Sequence, residues 1–363
     1  MRSFAALAIC AGLLGCGDRK GGTGGAGGTG GAGGTAGAGG TAGAGGSGGS
    51  SGAGGATLPS GPLTRYSGNP LLLNGPETYD YWKTGPRAIL KEGPTTYKMW
   101  YEAVGSDGYT RAAYATSSDG FLWTKHGVVM SPDQTWEAQE VSPNSIGFEN
   151  GVYKLWYHGG GYPGSGGQRL GNGQIGYATS TDGMTWTKYS GNPVVPVGSA
   201  GSIDEHQCAE PRVFPVGGSY RMYYTAQSAT NAKSLAMATS TDGITWTKFS
   251  GNPLLPPARF GGWGGAFVFD GSRWNLWHAT MDDTSGLVYK SSTDGITNWI
   301  DGPSNPVLTP SGSSATADAQ AVGDSVSGYR DGNTYRIMYS GFNSSFNGAR
   351  FEGICLATIA ASP

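Results

Sequence analysis

The chain has 363 residues, a formal net charge of −2 and only 13% charged side chains. That balance excludes a basic nucleic-acid surface and an acidic disordered tail, since neither reaches the charge density it requires. Glycine contributes 67 residues, but a large share lies in one N-terminal stretch, so the total does not describe the remainder.

Residues Met1 to Cys16 read MRSFAALAICAGLLGC: Arg2, a short apolar run, then Leu13-Leu14-Gly15-Cys16. The run is too short to cross a bilayer. The pattern resembles a bacterial lipoprotein signal, which implies that Cys16 is lipidated, becomes the mature N-terminus and is the only membrane attachment. The alternative is an ordinary signal peptide cut near the same place; either way the chain is exported. The resemblance implies anchoring at the outer membrane or cell surface. Residues 17–57 form the expected tether: Gly21 to Gly55 is almost wholly Gly, Ala, Thr and Ser, which cannot bury enough apolar surface to offset the entropy of ordering it. As a random coil it spans about 30 Å.

Residues 58–363 are rich in Trp, Tyr, Val, Ile and Thr, are punctuated by Gly, Pro and Asn, and hold no apolar helical period. This predicts an all-β domain large enough for a substantial core. One segment recurs along it. Tyr177 to Val195 reads YATSTDGMTWTKYSGNPVV, Met237 to Leu255 reads MATSTDGITWTKFSGNPLL, and looser copies begin at Tyr114 and Tyr289. The turn aspartates Asp119, Asp182, Asp242 and Asp294 lie about 50 to 60 residues apart, a spacing that suits four-stranded propeller blades. Each copy reads as a strand, a tight Asp-Gly turn, a second strand opening on Trp, and a Gly-Asn-Pro exit.

A second motif gives the blade number. Tyr97 to Tyr101, Tyr153 to Tyr157, Tyr220 to Tyr224, Trp274 to His278 and Tyr335 to Tyr339 are five aromatic strands, each preceded by a more apolar segment that reads as an inner strand. The last unit stops without an Asp-Gly-x-x-Trp strand, while Thr64 to Leu72 matches that missing piece. The expectation is an all-β, five-bladed β-propeller, monomeric, whose ring is closed by the N-terminal strand pairing into the C-terminal blade.

Hairpin parity places the Asp-Gly turns on one face and the long loops on the other, among them residues 158–174, 192–209 and 310–320. A site belongs with the long loops. The Ser-Thr-Asp-Gly-x-Thr-Trp motif is then structural: Asp caps the turn, Gly takes positive φ and Trp packs between blades. The motif resembles the Asp-box of sialidases, although one residue is missing between Asp and Gly.

Five blades, inner strands opening on a Pro-containing turn, and Tyr-Lys-Met-Trp-Tyr second strands resemble the arabinanase, levansucrase and invertase superfamily of glycosidases. The resemblance covers the domain from about Leu58 onward. It implies a surface-tethered glycoside hydrolase acting on an extracellular polysaccharide or oligosaccharide, with three acids at the starts of the first three inner strands. One carboxyl must be protonated to release the leaving oxygen and another ionised. Glu210, before Pro211, stands where the general acid is expected, but Gly85 and Ser142 occupy the other two places. Glu140 and Asp80 are the replacement catalytic candidates, with Glu140 and Glu210 the preferred pair. A propeller without catalysis, binding glycan or protein, is the alternative.

Arg87 and Arg212 sit in matching Gly-Pro-Arg and Glu-Pro-Arg triplets and are expected to point inward, toward an anionic or hydroxyl-rich ligand or toward Glu210. Asp204 and Asp318 precede inner strands and read as substrate ligands or turn caps. Trp82, Trp136 and Trp263 are placed on the rim, where sugar faces stack on aromatic rings, or in the core. His158, His206 and His278 come from separate loops and suit substrate hydrogen bonding better than a metal; no cofactor is implied, and calcium stays open. Cys208 and Cys355 are expected as free buried thiols.

Overall fold

The computed structural model describes residues 58–59, 61–160, 172–282 and 285–361. Cys16, the tether and the middle of the loop 158–174 lie outside the described residues. Among the described residues there is no α-helix; the regular structure is twenty strands and two single 3₁₀ turns, Thr78–Asp80 and Thr135–Glu137.

The strands form five antiparallel units of four. After β1 (Thr64–Arg65), blade one holds β2 (Lys83–Gly93), β3 (Thr96–Val104), β4 (Thr110–Ser117) and β5 (Thr124–Met130). Blade two holds β6 (Glu140–Glu149), β7 (Val152–Gly160), β8 (Gln174–Ser180) and β9 (Thr187–Lys188). Blade three holds β10 (Gln207–Val216), β11 (Ser219–Gln227), β12 (Lys233–Ser240) and β13 (Thr247–Lys248). Blade four holds β14 (Ala266–Phe269), β15 (Trp274–Ala279), β16 (Leu287–Ser292) and β17 (Ile300–Asp301). Blade five holds β18 (Ala321–Asp331), β19 (Thr334–Phe346) and β20 (Ala349–Ala360), and takes β1 as its fourth strand through Thr64 opposite Thr358 and Arg65 opposite Ala357. His158, expected in a loop, is the seventh residue of β7 and pairs with Ser142.

The core lies between blades rather than within one. Five buried clusters each draw on two consecutive units, and one joins Met99 and Tyr101 of blade one to Met338 and Leu356 of blade five. The Asp-Gly turns join the same seams. In blade two, Asp182 Oδ1 accepts the backbone N–H groups of Met184 and Thr185 at 2.8 and 2.7 Å, and Gly183 takes φ +77°. Trp100 of blade one then donates its indole N–H to Gly183 O at 2.7 Å, and Trp156 of blade two donates to Gly243 O at 2.8 Å. In the next seam the Tyr223 hydroxyl donates to Gly295 O at 2.9 Å. The repeat therefore builds blade-to-blade joints.

A second series recurs at the opposite ends of the strands. An acid three residues before the inner strand bonds a cation on the outer strand: Asp80 to Lys125 at 2.6 Å, Glu137 to Lys188 at 2.7 Å, Asp204 to Lys248 at 2.7 Å and Asp318 to Arg65 at 2.7 Å. In blades two, three and five a second-strand tyrosine donates to the same acid, Tyr157 to Glu137, Tyr224 to Asp204 and Tyr339 to Asp318.

Candidate active site

Four of the inner strands break register near their starts. The pairing skips Arg87 in β2, Asn144 in β6, Glu210 and Pro211 in β10, and Asp324 and Ser325 in β18. A bulge turns a side chain out of the ladder and re-aims it. Here the re-aimed residues meet. Glu210 and Asp324 take φ of +56° and +59°, a left-handed backbone that is uncommon for residues with a side chain and that gathers at functional sites.

Arg87 is the hub. Its guanidinium bonds Glu102 through Nε at 2.9 Å and through Nη2, and bonds Glu210 Oε2 through Nη1. Asn144 adds a donated bond to the same Glu210 oxygen at 3.1 Å. Glu102 is held from two further directions. Its Oε1 lies 2.8 Å from Lys83 Nζ, its Oε2 accepts the Ser142 hydroxyl at 3.1 Å, and Lys83 in turn pairs with Asp324. Glu102, Glu210, Arg87 and Lys83 are all buried, whereas the Asp324 side chain is 37% exposed and marks the open side of the cluster.

The two glutamates are driven in opposite directions. Burial pushes the Glu210 carboxyl above its usual range, and Arg87 and Arg212 only partly offset this. Glu102 is equally buried, but Arg87 and Lys83 outweigh the burial and hold it well below the carboxylate range. Glu140 faces His158, Nδ1 to Oε1 at 3.3 Å. Burial would lower the His158 pKa, yet Glu140 raises it.

Glu102 is the residue that the sequence reading missed. It follows Tyr97-Lys98-Met99-Trp100-Tyr101 and pairs directly with Gly85, where a family acid was expected. A carboxylate thus stands one strand away from the expected place. A Cβ added at Gly85 would stand 2.7 Å from Ser325 Oγ and 3.5 Å from Glu102 Cβ, so that place is already filled. A signal existed in the repeat: the residues after the five aromatic motifs are Glu102, His158, Thr225, Ala279 and Ser340, a variable position beside a constant one.

Several expected site residues stand elsewhere. Arg212 does not match Arg87, because its triplet lies one residue further along the inner strand: Arg212 faces Tyr223 as Ala88 faces Trp100. Arg212 is paired opposite Tyr223, and its guanidinium donates to Gly265 O at 2.8 Å, Val326 O at 2.8 Å and Asn144 O. Burial depresses its pKa to about 10. Asp80, Asp204 and Asp318 belong to the acid-cation joints described above. Trp136 stacks on Tyr157 with centroids 5.8 Å apart and donates to Gln134 Oε1 at 2.6 Å. Trp82 is exposed, with the Arg350 guanidinium 5.4 Å above its ring, and Trp263 lies under the Lys233 ammonium at 4.4 Å. His206 donates its backbone N–H to Gln227 O at 3.0 Å, and His278 is buried in blade four. Cys208 and Cys355 are free and buried.

Bulged inner strands that bring acids and a shared arginine together define a five-bladed propeller with a cluster of buried charge. Residues 79–261, about half of the chain, match the family described as glycosyl hydrolases family 32 N-terminal domain, and the chain belongs to that family. Solved structures agree on the fold. A protein described as a glycoside hydrolase superposes with a TM-score of 0.63 at 18% identity, covering 83% of this chain and 93% of its own. Zg3597, a family 117 glycoside hydrolase produced by the marine bacterium Zobellia galactanivorans, gives 0.58 at 17%, covering 83% and 90%. An N-acetylgalactosamine deacetylase from F. plautii, in complex with blood group B trisaccharide, gives 0.57 at 13%, covering 82% and 95%. No curated protein sequence matches the chain.

Proposed function

We propose that this protein is a surface-tethered carbohydrate-active enzyme that hydrolyses glycosidic bonds, exported as a lipoprotein anchored through Cys16, with its ring clasped by β1. One observation carries the reading: a single guanidinium binds two buried carboxylates, one driven toward the protonated form and one toward the ionised form. Such divergence separates an acid from its partner. Glu210 donates its proton to the glycosidic oxygen as the carbon–oxygen bond breaks. Glu102, fixed by Arg87, Lys83 and Ser142, supplies negative charge to the cationic sugar carbon. Asp324, more open than either, accepts the proton of the attacking water. Glu140 acts through His158, whose charge helps to set Glu210.

The test is sugar release by the protein from arabinans, fructans, galactans and xylans, with Glu210→Gln and Asp324→Asn run beside it. Each variant is expected to reduce release by about 10²- to 10⁴-fold while retaining binding. Because Glu210 must be protonated, the rate falls as pH rises through its elevated pKa, and that limb disappears in Glu210→Gln.

The filled position at Gly85 favours a second reading, a glycan-binding propeller without hydrolysis. Binding of one polymer with no release from any of them would replace the enzyme reading with that one.

A further inference from the structure

Blade four departs from the acid-cation joint that the other blades carry. Where they place a tyrosine at the end of the aromatic motif, it has His278, and no acid occurs in the lead-in segment 256–265. Phe260 packs against the His278 ring instead, with centroids 4.9 Å apart. The cross-strand pair is reversed as well. Ala115 faces Lys125, Ala178 faces Lys188, Ala238 faces Lys248 and Ala357 faces Arg65, but in blade four Lys290 faces Asp301.

These substitutions surround a cleft of about 470 Å³, lined by Phe260, His278, Met281, Val288, Lys290 and Asp301 together with Ala258, Arg259, Thr280 and Asn305. None of these residues belongs to the central cluster. His278 Nδ1 donates to Ala279 O at 2.8 Å, since a carbonyl can only accept, and burial keeps the ring neutral by lowering its pKa to about 3. Nε2 is therefore an acceptor, and it is buried with no hydrogen-bond partner among the described residues. Asp301, 52% exposed, adds a second acceptor held by Lys290 and Arg259. A buried acceptor without a donor costs free energy unless something fills it.

We propose that the blade-four cleft is a second carbohydrate-binding site, one that takes a neutral sugar unit whose hydroxyls donate to His278 Nε2 and Asp301 while its apolar face lies against Met281 and Val288. Two acceptors, a neighbouring ammonium and an apolar wall match the mixed surface of a saccharide.

The chain has only four histidines, so the His278 imidazole can be followed by NMR in full-length protein carrying labelled histidine, assigned by replacing the other three singly. The probes are the methyl glycosides of arabinose, fructose, galactose and xylose. At least one is expected to move the His278 signal saturably. Asp301→Asn is expected to weaken that titration about tenfold or more, and Glu210→Gln to leave it unchanged. A His278 signal that no sugar moves, or one that titrates identically in Asp301→Asn, would overturn the proposal. Because Glu210 is absent from the cleft, a failed central site and a failed cleft give separate results.

Discussion

At the Asp-Gly turns, blades two and three make the same bonds at nearly the same lengths: Ser180, Asp182 and Gly183 in one, Ser240, Asp242 and Gly243 in the other. At the far ends of the same strands the blades share little, with Glu102, His158 and Thr225 in equivalent positions. The repeated end satisfies a backbone that is alike in every blade. The varied end surrounds one centre that five blades approach from five directions, so identical residues there would place like charges together. Repetition marks the scaffold, and departure from it marks the chemistry.

The comparison can be broken first at the acid-cation joint, which repeats yet lies at the varied end. Glu137→Ala removes one acceptor of Lys188, which keeps Asp133 and Ser131 O, and leaves the Tyr157 hydroxyl and the backbone N–H groups of Asp133 and Gln134 without theirs. A loss of about 3 kcal/mol in urea unfolding is expected, the lower end of the range for breaking a buried pair, because Lys188 stays paired with Asp133. A midpoint equal to that of the parent protein would show that the joint is ornamental.

A smaller effect is expected at the turn. Gly183→Ala forces a side chain onto φ +77° and sets its Cβ 2.9 Å from Trp100 Cζ2, so thermal or urea unfolding should register a cost of about 1–2 kcal/mol. Gly151, at φ +80° with open space around it, isolates the backbone contribution from the clash when changed to Ala.

The smallest expected change sharpens the varied end. Glu140→Gln should lower the His158 pKa, followed by NMR. His158 has a raised folded-state value, so its pairing with Glu140 stabilises the protein fully below the unfolded pKa of about 6.5 and less as pH rises through the folded one. The variant should lose that part of the pH dependence. An unmoved His158 titration would detach Glu140 from the site.

Much of the fold was legible because its determinants are local. Asp-Gly turns, Gly-Asn-Pro exits and the five aromatic strands declare hairpins within a few residues, and the match of Thr64 to Leu72 with the outer-strand copies anticipated where β1 pairs. The centre was legible only where a residue announces itself beside Pro, as Glu210 does. Glu102 was hidden because its place depends on Gly85, which lies across the sheet rather than next to it in the chain. Asp80 was read singly as a catalytic candidate, and Asp204 and Asp318 singly as substrate ligands or turn caps. Aligned with Glu137, each three residues before an inner strand and each matched by an outer-strand Lys or Arg, they form a series whose regularity argues for structure. The Arg87 and Arg212 triplets looked alike because the motif does not reveal that one is set a residue further along its strand than the other.

Arg212 bears on how the ring is held. It stands on blade three and is bonded to backbone carbonyls of blades two, four and five, with its side chain buried. A guanidinium tied in this way is a crossbar: one side chain fastens four of the five blades together, so the ring is held across its middle as well as along its seams.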